Sequence, residues 1–290
     1  MRSKLFVPGS RPEFLAKALS SQADAISIDL EDSVVESRKA EARATVRDFL
    51  LSAEVRASTK VIIVRVNAIG TAHFEADVAA IAQNTLAMLN LPKPECAADI
   101  HAAVAVLERA EAANGLDHRA GILANIETPK ALRCAAEIAS AHRRVIGLQL
   151  GLGDLFEPLG IERRDTGNVH AAMFAMRMAA GEAGVFAYDG AYANLQDPQG
   201  YRAEATMARR LGYLGKSCVH PSQVDLANDV FRPSDEDIAF SLRVLDAAQQ
   251  AQAQRGGAFT VDGKMIDMPF IRRAEAVVAV ARKLKLTTDE

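Results

Sequence analysis

Carboxylates in this chain gather where apolar runs stop. "AISIDLEDSV", residues 25 to 34, is apolar at Ala25, Ile26, Ile28 and Leu30, yet it places Asp29, Glu31 and Asp32 within four residues. The pattern recurs. "VIIVRVN" ends in Arg65 and Asn67, "LAMLNLPK" in Lys93, "AGILANIE" in Glu127 and "VIGLQLGLGD" in Asp154. "VFAYDGAY" carries Asp189, and "YLGKSCVHP" reaches His220. Side chains alternate along an extended segment, so Asp29 and Glu31 share a face, as do Arg65 and Asn67, and Asn125 and Glu127. Several carboxylates brought to one place repel each other, and a cation among them removes the conflict. Oxygen donors of this kind suit Mg2+. Arg65 makes a demand of its own, because a guanidinium inside an apolar run needs a carboxylate or a ligand as partner.

Most of these residues have a structural alternative. Ser33 followed by Glu36 fits a capping box, which would make Asp32 and Ser33 a helix start. Thr128-Pro129 also reads as a helix start, which explains Thr128 and leaves Glu127 over. Asp154 fits the cap of a short turn before "LFEPLG". Lys93 carries no motif by itself. A lone histidine such as His220 fits a structural hydrogen-bonder, and Cys218 a packed small apolar residue.

What must position these residues is a regular alternation. "SKLFVPG" and the seven runs above each precede a helical pattern, such as "ESRKAEARATVRDFLLSA", which is rich in helix formers. Gly115 suits a helix end and Pro129 a first helical turn. Parallel strands need helical crossovers, so eight strand-helix units predict a parallel sheet. Eight units point to a closed (β/α)8 TIM barrel, with an open doubly wound sheet as the alternative. In such a barrel the strand ends form the catalytic face, so the residues above converge there. Residues 1–232 are expected to form the barrel and 233–290 a C-terminal helical extension acting as a lid. That extension reads as a helix over "SDEDIAFSLRVLDAAQQAQAQRGG", with Ser234 as N-cap and Asp237 at the capping-box position. A short "AFTVDGKMIDMP" segment and a final helix over "FIRRAEAVVAVARKLK" follow.

Composition excludes several classes. With 49% apolar residues and a net charge of -3 the chain can build a sizeable core and shows no basic block, which argues against a nucleic-acid partner. No apolar run is long enough for a signal peptide or a membrane span. The three cysteines, Cys96, Cys134 and Cys218, are far apart, as in a reduced cytoplasmic protein. A phosphate-binding glycine loop is absent, so nucleotide hydrolysis and hydride transfer are unsupported.

The ordered set "LFVPGSRPEFLAKAL", "DAISIDLEDSV", "VIIVRVNAIGT", "LPK", "IETPKAL", "GLGDL", "GKSCVHPSQ" and "DGKMIDMP" closely resembles the citrate lyase β-subunit-like family, within the wider HpcH/HpaI aldolase and citrate lyase group. The resemblance runs nearly end to end. It implies a (β/α)8 barrel with a C-terminal helical extension, trimeric assembly, and Mg2+-dependent making or breaking of a carbon-carbon bond beside an acyl thioester, with Mn2+ as a possible substitute. Position by position, it implies Glu127 and Asp154 as metal ligands. Arg65 becomes the residue that binds substrate and steadies the enolate oxygen, with Glu127 also at the substrate. Asp267 becomes an acid/base entering from a neighbouring subunit, and Asp29, Glu31 and Asp32 a second layer behind the metal waters. Coenzyme A phosphates are expected near Lys4 and Arg11.

Three departures from the family pattern bear on the substrate: Pro94, Gly153 where the family often has Glu, and the stretch "FEPLGIERRDTGNVHAAMFAMRM". The implied substrates are a 2-oxo acid and an acyl-CoA, as in a malyl-, citramalyl- or hydroxymethylglutaryl-CoA lyase or synthase. The alternatives are a citrate lyase β subunit acting on citryl-acyl carrier protein, a class II aldolase on free 2-oxo acids, and a catalytically silent binding barrel. The "DGKMIDMP" tail favours the thioester branch. The intact set of Arg65, Glu127, Asp154 and Asp267 argues against silence.

Overall fold

The structure, a computed structural model, describes residues 1–253 and 258–287. The chain divides into two compact units, Met1–Phe231 and Arg232–Glu290. In the first, strands and helices alternate: β1 (Ser3–Pro8), α1 (Pro12–Leu19), β2 (Ala25–Asp29), α2 (Lys39–Leu50), α3 (Ala53–Ala57), β3 (Val61–Arg65), α4 (Phe74–Ile81), β4 (Met88–Leu91), α5 (Ala97–Ala113), β5 (Gly121–Ile126), α6 (Pro129–Arg133), α7 (Ala135–Ser140), β6 (Val145–Leu150), α8 (Leu152–Phe156), α9 (Thr166–Glu182), β7 (Phe186–Tyr188), α10 (Pro198–Arg210), β8 (Lys216–Cys218) and α11 (Val224–Val230). The eight strands pair in parallel in the order β7-β6-β5-β4-β3-β2-β1-β8. The two ends of that order meet in a parallel bridge between Asp189 and Lys216, supported by Asp189 N donating to Gly215 O at 3.0 Å and Ser217 N to Asp189 O at 3.1 Å. The sheet is therefore a (β/α)8 barrel and not an open doubly wound sheet.

Alternation along the strands explains both faces. Leu5, Val7, Ile26, Ile28, Ile62, Val64, Leu89 and Leu148 belong to one continuous apolar core shared with the surrounding helices. Burying each such side chain contributes about 1.5–3 kcal/mol. The intervening residues face the barrel interior, and register keeps them level: Phe6 beside Ser27, Asp29 beside Arg65 beside Asn90, and Asn125 beside Gln149 beside Tyr188. Lys4, Ser27, Asn90, Asn125 and Gln149 are all buried, so the interior is polar where the outer face is apolar.

Several local expectations hold and others change. Thr128 Oγ1 accepts from Ala131 N at 3.1 Å with Pro129 next to it, and Gly115 takes φ 65 after α5. The Ser33–Glu36 capping box does not form. The turn before α2 starts at Val35 without a side-chain cap, and Ser33 N instead donates to Asp29 Oδ2 at 3.0 Å. "ESRKAEARATVRDFLLSA" breaks after Leu51, where Ser52 accepts from Val55 N and starts α3. "PKALRCAAEIAS" divides at Cys134. Asp154 sits in the first turn of α8, beyond the strand.

The second unit contains α12 (Asp235–Ala253), β9 (Phe259–Val261), β10 (Lys264–Ile266) and α13 (Met268–Lys283). Ser234 Oγ accepts from Asp237 N at 3.0 Å, as an N-cap should. Residues 254–257 of the expected long helix lie outside the described residues. The "AFTVDGKMIDMP" segment is an antiparallel hairpin, β9 against β10. Asp262 and Gly263 turn it, at φ 48 and φ 73, as a two-residue hairpin turn requires. Val244, Val261, Ile266 and Ala274 form a small core of their own. Among the described residues, no helix is long and apolar enough to cross a membrane.

Candidate active site

Arg65 ends β3 beside Asp29, its register partner on β2. Its Nε donates to Asp29 Oδ1 at 2.7 Å and its Nη2 to Oδ2 at 2.8 Å, a two-pronged charged pair. Nη1 lies 2.9 Å from Glu31 Oε2 and 3.1 Å from Asp32 Oδ2. The Glu31 contact is an ion pair without hydrogen-bond alignment, and Oε2 has no hydrogen-bond partner among the described residues. The carboxylates at the end of the second strand therefore surround a guanidinium. Asp29 is also fixed from behind, accepting from the backbone N–H of Glu31 and Ser33, each at 3.0 Å. Burial works against its charge, but the Arg65 bonds outweigh it and hold Asp29 below its ordinary pKa. Glu31 moves the other way. Burial raises it, Asp32 and Asp29 add to that, and Arg65 and Lys93 only partly offset the rise.

Glu127 follows β5, and its carboxyl lies against Gly151, where any Cβ would overlap it. Glycine there makes room for the carboxylate. Glu127 Oε2 is buried with no hydrogen-bond partner among the described residues. Burial first, then the charges of Glu31 and Asp154, push its pKa up to about 7 against the pull of Arg65 and Lys93. Asp154 presents a half-exposed carboxylate from α8. Lys93 Nζ stands 3.4 Å from Glu31 Oε1 and 3.7 Å from Asp154 Oδ1. Burial works against its charge, but Glu31, Asp154, Asp32 and Glu127 raise its pKa.

Asp29, Asp32, Arg65, Glu127 and Asp154 line one cavity of about 1380 Å3. The strand-end pattern brought these residues together correctly, but others fall elsewhere. Asn67 does not share the mouth with Arg65. It is held by Lys39 Nζ at 2.6 Å and bonds Asp77 Oδ2 at 2.6 Å. His220 caps a turn, accepting from Ser222 N at 3.2 Å. Lys4 cannot meet coenzyme A phosphates. It is fully buried inside the barrel, with Nζ on Gln149 Oε1 and near the rings of Phe6 and Tyr188. Burial, then Arg65, lowers its pKa well below the ordinary value, with Cys218 and Glu127 opposing. Arg11 is exposed, 3.7 Å from Glu13. In the second unit Asp267 is at the N-cap position of α13 but makes no capping bond, and its Oδ1 is buried without a partner among the described residues.

One cluster was missed from the sequence except for its Asp189. Lys216 Nζ, fully buried, donates to Asp189 Oδ2 at 2.7 Å and Glu204 Oε1 at 2.6 Å. Arg163 clamps Glu204 with bonds of 2.7 and 2.9 Å, and both line the cavity. Burial works against the Lys216 charge, but Asp189 and Glu204 outweigh it and raise its pKa. A lysine inside "YLGKSCVHP" was the available signal, of the same kind as Arg65.

The donor set fits a hard divalent cation. The site offers oxygen ligands, one of them an orphaned buried carboxyl oxygen, within an excess of negative charge. Among the described residues no three His, Cys, Asp or Glu side chains could enclose an ion. Glu127 and Asp154 line the same cavity, and a pair of carboxylates suits Mg2+, an ion that keeps several waters.

Comparison with known proteins agrees with this geometry. Residues 2–221 match the family described as HpcH/HpaI aldolase/citrate lyase. The L-malyl-CoA/beta-methylmalyl-CoA lyase of Rhodobacter capsulatus is 32% identical, over 98% of this chain and 96% of that protein. The citrate lyase subunit beta of Escherichia coli strain K12 is 34% identical, over 97% and 93%. The crystal structure of CitE from Mycobacterium tuberculosis, in complex with magnesium, acetoacetate and coenzyme A, is similar at 31% identity and a TM-score of 0.76. That match covers 97% of this chain and all of the other.

Proposed function

Because the chain belongs to the HpcH/HpaI aldolase/citrate lyase family, we propose that it is a Mg2+-dependent carbon-carbon lyase. It cleaves or forms a 3-hydroxyacyl thioester, with a 2-oxo acid and an acyl-CoA enolate as the two halves. The observation that carries this is the unpartnered Glu127 Oε2 in a cavity shared with Asp154 and Arg65.

Glu127 and Asp154 would hold the ion, with Mn2+ as an acceptable substitute. When bound, Mg2+ supplies Lewis-acid polarisation of the 2-oxo acid carbonyl. Glu127, as a ligand, also fixes where the oxo acid sits. Asp29 locks the Arg65 guanidinium in one orientation, so its charge meets the thioester oxygen as the enolate develops. Preorganised charge of this kind is usually the largest catalytic contribution. Asp29, Glu31 and Asp32 act by orienting Arg65 and the waters beside it. Asp267 carries the proton, taken from the α-carbon in synthesis or the hydroxyl in cleavage. It reaches the mouth of a neighbouring subunit, in a trimer. Arg11 is left as the basic residue for the coenzyme A phosphates. The working compartment is the cytoplasm.

A second reading, a β subunit acting on citryl-acyl carrier protein within a larger complex, is supported by the comparable similarity to citrate lyase subunit beta. The two are separated by incubating the chain with Mg2+ and malyl-, citramalyl-, hydroxymethylglutaryl-CoA or citryl-carrier protein, and trapping the 2-oxo acid released. Cleavage of a coenzyme A ester is expected. Cleavage of the carrier-bound citryl group alone would select the second reading, and no cleavage of any would overturn both. Sharing of the site has its own test. Asp267→Asn and Glu127→Ala should each be nearly inactive, and oligomers reassembled from both should regain part of the activity. Mixed oligomers that form and stay dead would contradict the shared site.

A further inference from the structure

The charge at the mouth does not balance. Asp29, Glu31, Asp32, Glu127 and Asp154 outnumber the cations that reach them, which are Arg65, Lys93 and the buried Lys4. Arg65 is committed to Asp29 through two hydrogen bonds. Lys93 is committed less firmly. Its ammonium sits between Glu31 and Asp154 at 3.4 and 3.7 Å, longer than a good charged hydrogen bond on either side. It thus bridges one of the carboxylates assigned to the metal.

The backbone at this residue is held in an unusual state. Lys93 has φ 52, in the left-handed region that side chains disfavour. The next residue is Pro94, whose ring pushes its predecessor toward extended backbone. Among the described residues, two other non-glycine positions have positive φ. Asp262 lies in a hairpin turn and Lys285 just past a helix end, where such a φ closes the turn. Lys93 has no such excuse. It leaves β4 toward the mouth, and strain of this kind gathers where a side chain must be aimed.

We propose that Lys93 is a resident counter-cation of the metal site. Its ammonium keeps Glu31 and Asp154 compensated while the divalent ion is absent. It must give up Asp154 when the ion enters, and so it lowers the affinity of the substrate-free enzyme for that ion. Lys93 is a positioning residue here and touches no substrate. The proposal rests on the assignment of Glu127 and Asp154 as the metal pair.

The test is Mn2+ binding by the full chain without substrate, with free Mn2+ followed by electron paramagnetic resonance. Lys93→Gly removes the ammonium and suits φ 52, so the backbone keeps its course. It should bind Mn2+ on the order of tenfold more tightly, since one nearby positive charge has gone. Lys93→Met, which keeps the bulk of the side chain, should shift affinity the same way. Lys93→Arg, which keeps the charge, should stay within about twofold of the parent, a smaller shift than the loss of a whole charge. Unchanged or weaker binding in Lys93→Gly and Lys93→Met would overturn the counter-cation role, as would tightening in Lys93→Arg. If the parent chain itself binds no Mn2+, the metal pair falls and the counter-cation role with it. If the parent binds and Glu127→Gln does not, the metal pair stands whatever Lys93 does.

Discussion

Two arginines, Arg144 buried and Arg65 partly so, sit at opposite ends of the barrel and behave differently. Arg144 precedes β6, at the end where strands begin. It donates to Ala120 O through Nε at 2.9 Å and Nη2 at 2.6 Å, and to Glu111 through Nη1 at 2.8 Å and again through Nη2. Glu111 takes a further bond from Arg119 at 3.1 Å. Acceptors and donors match, and the network is closed. Arg65, at the end where strands finish, is crowded by three carboxylates and leaves oxygens of Glu31 and Glu127 unbonded. A satisfied buried network holds a fold together. One left open, in a cavity, is ready for a ligand.

The largest effect separating the two should come from Arg65→Lys. Lysine keeps the charge and loses the planar fork, so kcat should fall by about a hundredfold or more, the scale of losing one oxyanion donor. The thermal midpoint should move little. Normal kcat with a raised KM would make Arg65 a binding clamp and nothing more. Arg144→Met should do the reverse. It takes from Glu111 its buried partner, leaving the bonds from Arg119 and from Ala120 N, and should cost about 3 kcal/mol in urea unfolding, the low end for a broken buried pair, with kcat per folded molecule unchanged.

Acid sharpens the contrast. Burial works against the Glu111 charge, but Arg144 and Arg119 outweigh it and hold the carboxyl below its ordinary value of 4.5. A depressed folded pKa means the stabilisation is complete above about 4.5 and fades as pH falls through the lower folded value. Parent stability should therefore decline below that point more steeply than that of Glu111→Gln. Parallel curves would remove Glu111 from the account. The smallest effect is expected at Arg11. Arg11→Ala should raise KM for a coenzyme A thioester a few-fold at low salt and less at high salt, as for one exposed charge.

The two ends were not equally legible in the sequence. Arg65 announced itself as a charge within "VIIVRVN", and Glu127 as a residue its helix start did not explain. Asp154 was placed at a strand end and lies in a helix, yet α8 begins so soon after β6 that it reaches the mouth either way. What alternation could not give was pairing across strands. Asp29, Glu31 and Asp32 meet Arg65 only because parallel register sets Asp29 beside it. Lys4 was misplaced for an avoidable reason: it stands near the start of β1, and strand starts lie at the end away from the mouth. The Asp262-Gly263 pair also signalled a hairpin that was read as a plain segment. Arg144 gave no signal, since its partners Glu111 and Ala120 lie in other elements far along the chain.

The central claim is that Glu127 and Asp154 hold a divalent ion that the chemistry needs. The direct measurement is cleavage of the thioester found in the substrate panel, by chain stripped of metal and checked for residual ions. The account predicts no turnover in chelator and recovery with Mg2+ or Mn2+, while Glu127→Ala stays folded and recovers with neither. Full turnover by demonstrably metal-free chain would contradict it.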